Sequence, residues 1–229
     1  MRSQSDGGVW VLVPAHNEAR VIAGVVAELK RQAHRIVVID DGSSDSTAEV
    51  AAECGAIVLR HPINLGQGAA LQTGIEFALA RGAELIVTFD ADGQHRTADI
   101  GRLLDALNIH RADFALGSRF LGAAVNMPAP RRMLLRAATL FTRLTTGLAL
   151  TDAHNGLRAM TRRGALSIRL RQNRMAHASE IIGQIAASGL KFVEVPVTIE
   201  YSRYSLAKGQ KSGDLIIILL DLFARRLHS

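Results

Sequence analysis

The sequence predicts an α/β fold with a mostly parallel central sheet flanked by helices. Three observations predict it: four short runs rich in Val and Ile, apolar residues at helical spacing between them, and turn residues after each run. The runs are Val9–Val13, Ile36–Ile39, Ile57–Leu59 and Leu85–Phe89, and they read as buried strands. Ile22, Val25, Val26 and Leu29 repeat at helical spacing after the first run, and Leu71, Ile75, Ala78 and Leu79 do so before the fourth. The order is therefore β-α-β-α-β-α-β, and in such a sheet ligands bind beyond the carboxyl ends of the strands.

The second half changes character after a fifth strand, Asp113–Ser118. Pro128 and Pro130 mark a loop before a long helical stretch, Arg131–Leu148. Further on, Val193, Val195, Val197 and Ile199 alternate with Glu194, Pro196, Thr198 and Glu200, which reads as a half-exposed strand. Pro196 cannot donate to a ladder and places that strand near a sheet edge. There is no internal repeat, low-complexity tract or interdomain linker, so the expectation is one domain with two lobes.

With 48% hydrophobic and 21% charged residues, the 229-residue chain has an ordinary globular composition. A single cysteine, Cys54, cannot bridge internally, and Met1–Gly8 lacks the apolar core of a signal peptide. A cytoplasmic setting is expected. The longest unbroken apolar run, Leu215–Leu220, falls short of the roughly 18 residues that span a bilayer. The net charge of +6 comes mostly from arginines between Arg131 and Arg174, pointing to an anionic partner such as phosphates or a membrane surface. With 4% aromatic residues and no recognised binding module, no nucleic-acid partner is expected.

The chemistry concentrates at strand ends. Asp90-Ala91-Asp92-Gly93-Gln94 closes the fourth strand with two carboxylates one residue apart. On extended backbone such side chains point the same way, so Asp90 and Asp92 can converge on one hard cation, with Gln94 adding a carbonyl oxygen. Mg²⁺ or Mn²⁺ is the natural choice, and it would neutralise a departing diphosphate. Asp40 and Asp41 end the second strand ahead of a helix start in which Asp45 or Ser46 is placed as N-cap. Pro14-Ala15-His16-Asn17-Glu18 ends the first strand at the same edge. Asn64-Leu65-Gly66-Gln67-Gly68 opens a helix, and its glycines let backbone approach a phosphate or ribose, although it is neither a Walker loop nor a dinucleotide fingerprint.

Pro14–Glu18, Asp40–Thr47, Asn64–Gly68, Asp90–Gln94 and Gly117-Ser118-Arg119 resemble, in order and spacing, the motifs of family 2 glycosyltransferases. The resemblance runs from about Val9 to Asp221. Within the family the chain looks most like the dolichyl- or polyprenyl-phosphate sugar transferases. It implies a GT-A fold, a Rossmann-like nucleotide-binding domain with residues 9–118 for donor and metal, 119–211 for the acceptor, and an amphipathic helix over 212–229. Pro14, Ala15, His16, Asn17, Glu18, Asp40 and Asp41 would hold the nucleotide, with Gly66, Gln67 and Ala91 completing the donor site. Asp90, Asp92 and Gln94 would bind the metal. Arg119 would face the acceptor phosphate or the diphosphate, and Arg203 and Lys208 would clamp the diphosphate from a closing loop.

Thr151–Arg158 is similar to the family's Thr-Asp-x-x-x-Gly-Phe-Arg stretch, in which Asp152 is the candidate general base. A hydroxyl acceptor needs a base, whereas a phosphate acceptor is already anionic, so Asp152 either deprotonates or orients. Asp152, Asp92 and Arg119 are thus the expected catalytic set. Arg132, Arg136 and Arg143 fall within an arc of roughly 40° on the helix after Pro130, beside Leu134, Leu135, Leu140, Phe141, Leu144 and Leu148. That combination has the character of an interfacial helix, with Arg132 and Arg136 toward a lipid-phosphate acceptor.

The resemblance implies inverting, single-displacement transfer of one sugar from a UDP- or GDP-sugar to a polyprenyl phosphate, peripheral at the inner face of the cell membrane. The processive synthases' Gln-x-x-Arg-Trp motif is absent, since Trp10 is the only tryptophan. Two alternatives stand beside this expectation: transfer to a saccharide hydroxyl in surface-polysaccharide synthesis, and a nucleotidyltransferase-like enzyme or nucleotide sensor. The closing helix, Asp214 to His228, would rest on a membrane, a membrane protein or a second copy of the chain.

Overall fold

The computed structural model describes residues 8–32, 34–172, 176–202 and 204. Its first half alternates strictly: β1 (Val9–Ala15), α1 (Ile22–Lys30), β2 (Arg35–Asp40), α2 (Thr47–Glu53), β3 (Ile57–Arg60), α3 (Gln67–Ala80), β4 (Leu85–Thr88) and α4 (Asp99–His110). The second half continues with β5 (Phe114–Val125), α5 (Ala129–Thr146), β6 (Arg158–Thr161), α6 (Arg162–Leu166), α7 (Ala176–Ser188) and β7 (Phe192–Glu200). Among the described residues these strands form one sheet in the order β3-β2-β1-β4-β6-β5-β7. All pairs are parallel except those of β6, which runs against both β4 and β5.

Along β1 the side chains alternate between two apolar layers, as a period of two requires. Val11 and Val13 meet Ile22, Val25, Val26 and Leu29 of α1 and Ile100, Leu103 and Leu107 of α4. Trp10 and Leu12 belong to a layer with Leu71 and Ile75 of α3 and Ile181, Ile182 and Ile185 of α7. Helices on both faces explain why the strands are continuously apolar rather than alternating. The crossover from β1 outward to β2 and β3 on one side, and to β4 on the other, leaves a crevice at their carboxyl ends.

Several boundaries differ from the sequence reading. β5 runs seven residues past Ser118, with a register shift between Ser118 and Ala123 where it pairs with β7. Helix α5 starts at Ala129, with Pro130 in its first turn, where the missing N–H costs nothing, and ends at Gly147 with φ 73°. β7 is an edge strand, as Pro196 suggested. β6 has no counterpart in the sequence reading, because Arg-Ala-Met-Thr shows neither an apolar run nor alternation over enough residues. Ser46 holds the N-cap position of α2 without a side-chain cap bond, and the Asp45 carboxylate just before it accepts from the Thr47 N–H at 3.0 Å.

Candidate active site

The strand ends open into a cavity of about 720 Å³. From β1 it is lined by Pro14, Ala15, His16 and Glu18, from β2 by Asp41, from the start of α3 by Gly66 and Gln67, and from the loop after β4 by Asp90, Ala91, Asp92 and Gln94. Of the residues singled out in the sequence, Asn17, Asp40, Asp152, Arg132 and Arg136 do not line it. Arg203, Lys208 and the segment 214–228 lie outside the described residues.

The residues that miss the cavity still build it. Asn17 sits at φ 54° and ties two turns together, its N–H donating to Ser43 Oγ at 2.9 Å and its Oδ1 accepting from the Ser44 N–H at 2.8 Å. Asp40 is fully buried beneath the surface, accepting from the Ser43 N–H at 3.2 Å and pairing with Arg60 at 3.2 Å. Asp41 accepts from the backbone N–H groups of Leu65 at 2.9 Å and Gly66 at 2.7 Å, and pairs with His61 at 2.8 Å. It therefore fixes the loop that starts α3. Gly66 adopts φ 95° and ψ 156°, which a side chain does not tolerate, and this lets the chain turn from the cavity wall directly into the helix. The segment makes the tight helix start, and Asn64, Gly66 and Gln67 of it line the cavity.

The acidic side centres on Asp90 and Asp92. Asp90 accepts from Gln67 Nε2 at 3.0 Å and pairs with His95 Nε2 at 3.0 Å. Burial pushes the Asp90 carboxyl up, but the hydrogen bond and charge of His95, aided by Arg158 and His177, outweigh it and hold Asp90 below the usual range. Burial and then the Asp90 charge push the Asp92 carboxyl up to about 6. Two carboxylates, one resisting ionisation because the other is charged, fit a hard divalent cation that would neutralise both. Among the described residues no three His, Cys, Asp or Glu side chains converge as a ready-made cage. The donor set suits Mg²⁺ or Mn²⁺ held by one or two carboxylates plus substrate phosphates, which is the usual Mg²⁺ arrangement.

The same cavity is lined by basic residues. Arg119 lines the cavity and is itself tightly held: its backbone N–H and its Nε both donate to Asp152 Oδ2, at 3.0 and 2.6 Å. Its Nη1 donates to Tyr201 Oη at 2.7 Å and its Nη2 to the His154 carbonyl at 2.6 Å. Asp152 is thereby consumed in orienting Arg119, and its Oδ1 accepts from the His154 N–H at 3.2 Å. On α5 the residue that reaches the cavity is Arg131, not Arg132 or Arg136, which are exposed. At 100° per residue Arg131 lies within the arc buried by Leu135, Ala138, Thr139 and Thr142, whereas Arg132 lies at its rim and Arg136 beyond it. Arg158, His95, His154 and His177 also line the cavity. Burial pushes His154 down to about 4, so its ring is neutral at physiological pH.

Sequence reasoning missed Arg131, Arg158, His95 and Tyr204. His95 had a signal, following Gln94 directly in the acidic loop. Tyr204 donates to Glu18 Oε2 at 2.8 Å across the chain's length, a contact no local pattern announces.

The family model for glycosyl transferase family 2 matches residues 10–167, more than half the chain. The chain belongs to glycosyl transferase family 2. This glycosyltransferase is 31% identical to the UDP-N-acetylglucosamine–dolichyl-phosphate N-acetylglucosaminyltransferase of Methanococcus voltae, over 97% of its own length and 96% of that protein's. It is 32% identical to the polyprenol monophosphomannose synthase of Mycolicibacterium smegmatis, over 90% and 82%. Among solved structures it resembles glucosyl-3-phosphoglycerate synthase from Mycobacterium tuberculosis in complex with Mn²⁺, UDP-glucose and phosphoglyceric acid, with TM-score 0.66, 20% identity, and coverage of 94% of this chain and 79% of that one. This family 2 glycosyltransferase therefore has the GT-A fold that its motifs implied.

Proposed function

We propose that this glycosyltransferase moves one sugar from a nucleotide-sugar to the phosphate of a polyprenyl or dolichyl lipid, with Mg²⁺ or Mn²⁺, as a peripheral enzyme at the cytoplasmic face of a membrane. The observation that carries the reading is that one cavity is lined both by a carboxylate pair, Asp90 and Asp92, and by the cationic side chains of Arg119 and Arg131. Two anionic groups, a diphosphate bound through a cation and an acceptor phosphate, call for both kinds of side chain. The names of the Methanococcus and Mycolicibacterium relatives support the acceptor class.

In this reading Asp90, Asp92 and Gln94 would hold the cation, while Pro14, Ala15, His16, Glu18 and Asp41 receive the nucleoside. A cation held there would offset the charge of the departing nucleoside diphosphate. Arg119 and Arg131 position an acceptor phosphate, whose oxygen attacks the anomeric carbon as the bond to the diphosphate breaks. Asp152 orients Arg119 and takes no proton, in keeping with its buried ion pair and with an acceptor that needs none removed. Arg203 and Lys208 are assigned to the diphosphate from the sequence alone; of that segment, Tyr204 donates to Glu18 Oε2 at 2.8 Å.

The membrane reading draws on α5. Met133, Leu140 and Leu144 are 74%, 55% and 73% exposed, and with Ala137 they share one outward stripe, flanked by the exposed Arg132, Arg136 and Arg143. Among the described residues no helix is long and apolar enough to cross a membrane.

The test is to incubate the protein with UDP- and GDP-sugars and either polyprenyl phosphate or free saccharides, with Mn²⁺ or EDTA, and to identify products by mass spectrometry. A polyprenyl phosphosugar formed only with the metal is expected. Transfer to saccharides alone, or release of pyrophosphate, would overturn the reading.

A further inference from the structure

Arg158 opens β6 in the middle of the sheet, opposite Thr88 of β4 and Leu116 of β5. Its neighbours Leu157 and Ala159 pack into the layer beneath α1 and α4, so Arg158 turns to the other face, beside Met160 and toward α3 and α7. It is 3% exposed and lines the cavity, yet its Nη1 has no hydrogen-bond partner. Burial lowers its pKa to about 10, against the pull of Asp90 and Asp152, so the guanidinium remains charged.

A buried N–H without an acceptor pays the full desolvation penalty, and native proteins leave few such groups without a reason. Charge adds to the cost, because none of the ion pairs within 4 Å among the described residues includes Arg158. An incoming acceptor oxygen would satisfy both. The sheet order says which part of a ligand supplies it. Across the mouth of the cavity the strand ends follow as β2, β1, β4, β6 and β5. On the donor orientation proposed above, on which this inference rests, the nucleoside lies over the β2 and β1 ends and the diphosphate over Asp90 and Asp92 after β4. The sugar then falls one strand further on, over β6. There the floor is kept open by Gly156, whose added Cβ would strike the Asp90 carboxylate.

We propose that Arg158 is a sugar-binding residue of the donor site, its Nη1 donating to an oxygen of the transferred sugar and thereby contributing to which sugar is accepted. A charged donor favours a carbonyl or carboxylate oxygen over a hydroxyl, because charge-assisted hydrogen bonds are the stronger ones. An acetamido or uronate substituent suits the position better than an unmodified ring.

The experiment measures binding by calorimetry, with Mn²⁺, of UDP, GDP and four nucleotide sugars: UDP-glucose, UDP-N-acetylglucosamine, UDP-glucuronate and GDP-mannose. Wild type is compared with Arg158→Met and Arg158→Lys, each first checked for an unchanged circular dichroism spectrum and a cooperative melt. The preferred nucleotide sugar should lose about ten- to hundredfold in affinity in Arg158→Met, the range of one hydrogen bond to a charged group, and less in Arg158→Lys. The matching nucleoside diphosphate should change by less than about twofold. Equal loss for diphosphate and nucleotide sugar would place Arg158 on the diphosphate and overturn the proposal, as would no loss for either. If Arg158→Met does not fold, Arg158→Lys carries the same comparison. Wild type that binds no nucleoside diphosphate with Mn²⁺ would instead overturn the donor-site reading itself, and this inference with it.

Discussion

Asp92 is the residue whose charge state most affects the site. Its folded carboxyl is raised to about 6 from an ordinary 3.8, so the metal-free folded protein holds that proton more tightly than the unfolded chain does. The stability this contributes is present below about pH 4 and is lost as the pH rises through about 6. In EDTA, Asp92→Asn should therefore melt about 6–12 °C above wild type at pH 7.5 and close to it at pH 4, read by differential scanning fluorimetry. A variant that melts below wild type at both values would refute the assignment. With Mn²⁺ and nucleoside diphosphate the order reverses, because only wild type gains from the ion, and turnover of Asp92→Asn should fall at least about a hundredfold. Asp90 and Asp92 were legible because a strand-end Asp-x-Asp is a local pattern. Asp40 was legible as a polar strand end but not as a residue beneath the surface, since its partner Arg60 stands on the next strand.

Helix α5 shows the same division one level up. Its length and its arginine stripe follow from spacing alone, yet which apolar side meets the protein does not. Leu135 and Ala138 are buried, while Leu140 and Leu144, equally apolar, point outward. Periodicity gives relative angles around a helix, and only the packing of α5 against its neighbours sets the zero of that angle. The outward stripe predicts that the protein cosediments with vesicles containing anionic phospholipid. The double substitution Leu140→Glu and Leu144→Glu should reduce that partition more than tenfold, with circular dichroism unchanged. Raising the salt should weaken wild-type binding, since Arg132, Arg136 and Arg143 contribute about 1 kcal/mol each near such a surface. Undiminished cosedimentation of the double variant would exclude α5 as the contact. β6 escaped detection for a related reason: a four-residue strand held by partners on both sides needs no pattern of its own.

At the scale of the whole fold, the described residues form one sheet between two apolar layers, so neither layer keeps its packing if the sheet is lost. Unfolding should be a single transition. Trp10, buried at 2% exposure against Phe77 in the layer of α3, is the sole tryptophan and reports on that layer alone. Its fluorescence and the far-ultraviolet circular dichroism should give the same urea midpoint, and two separated midpoints would show the layers melting independently. The sequence by itself determined the βα alternation, the family and the loops that reach the cavity, because each is written in contiguous residues whose spacing is fixed by helix and strand geometry. The tertiary structure decided the place of antiparallel β6, the pairing of Asp152 with Arg119, and the choice of Arg131 and Arg158 over Arg132 and Arg136 as cavity cations. These depend on which surfaces meet when distant segments pack, and burial, not local pattern, sets what a charged side chain faces.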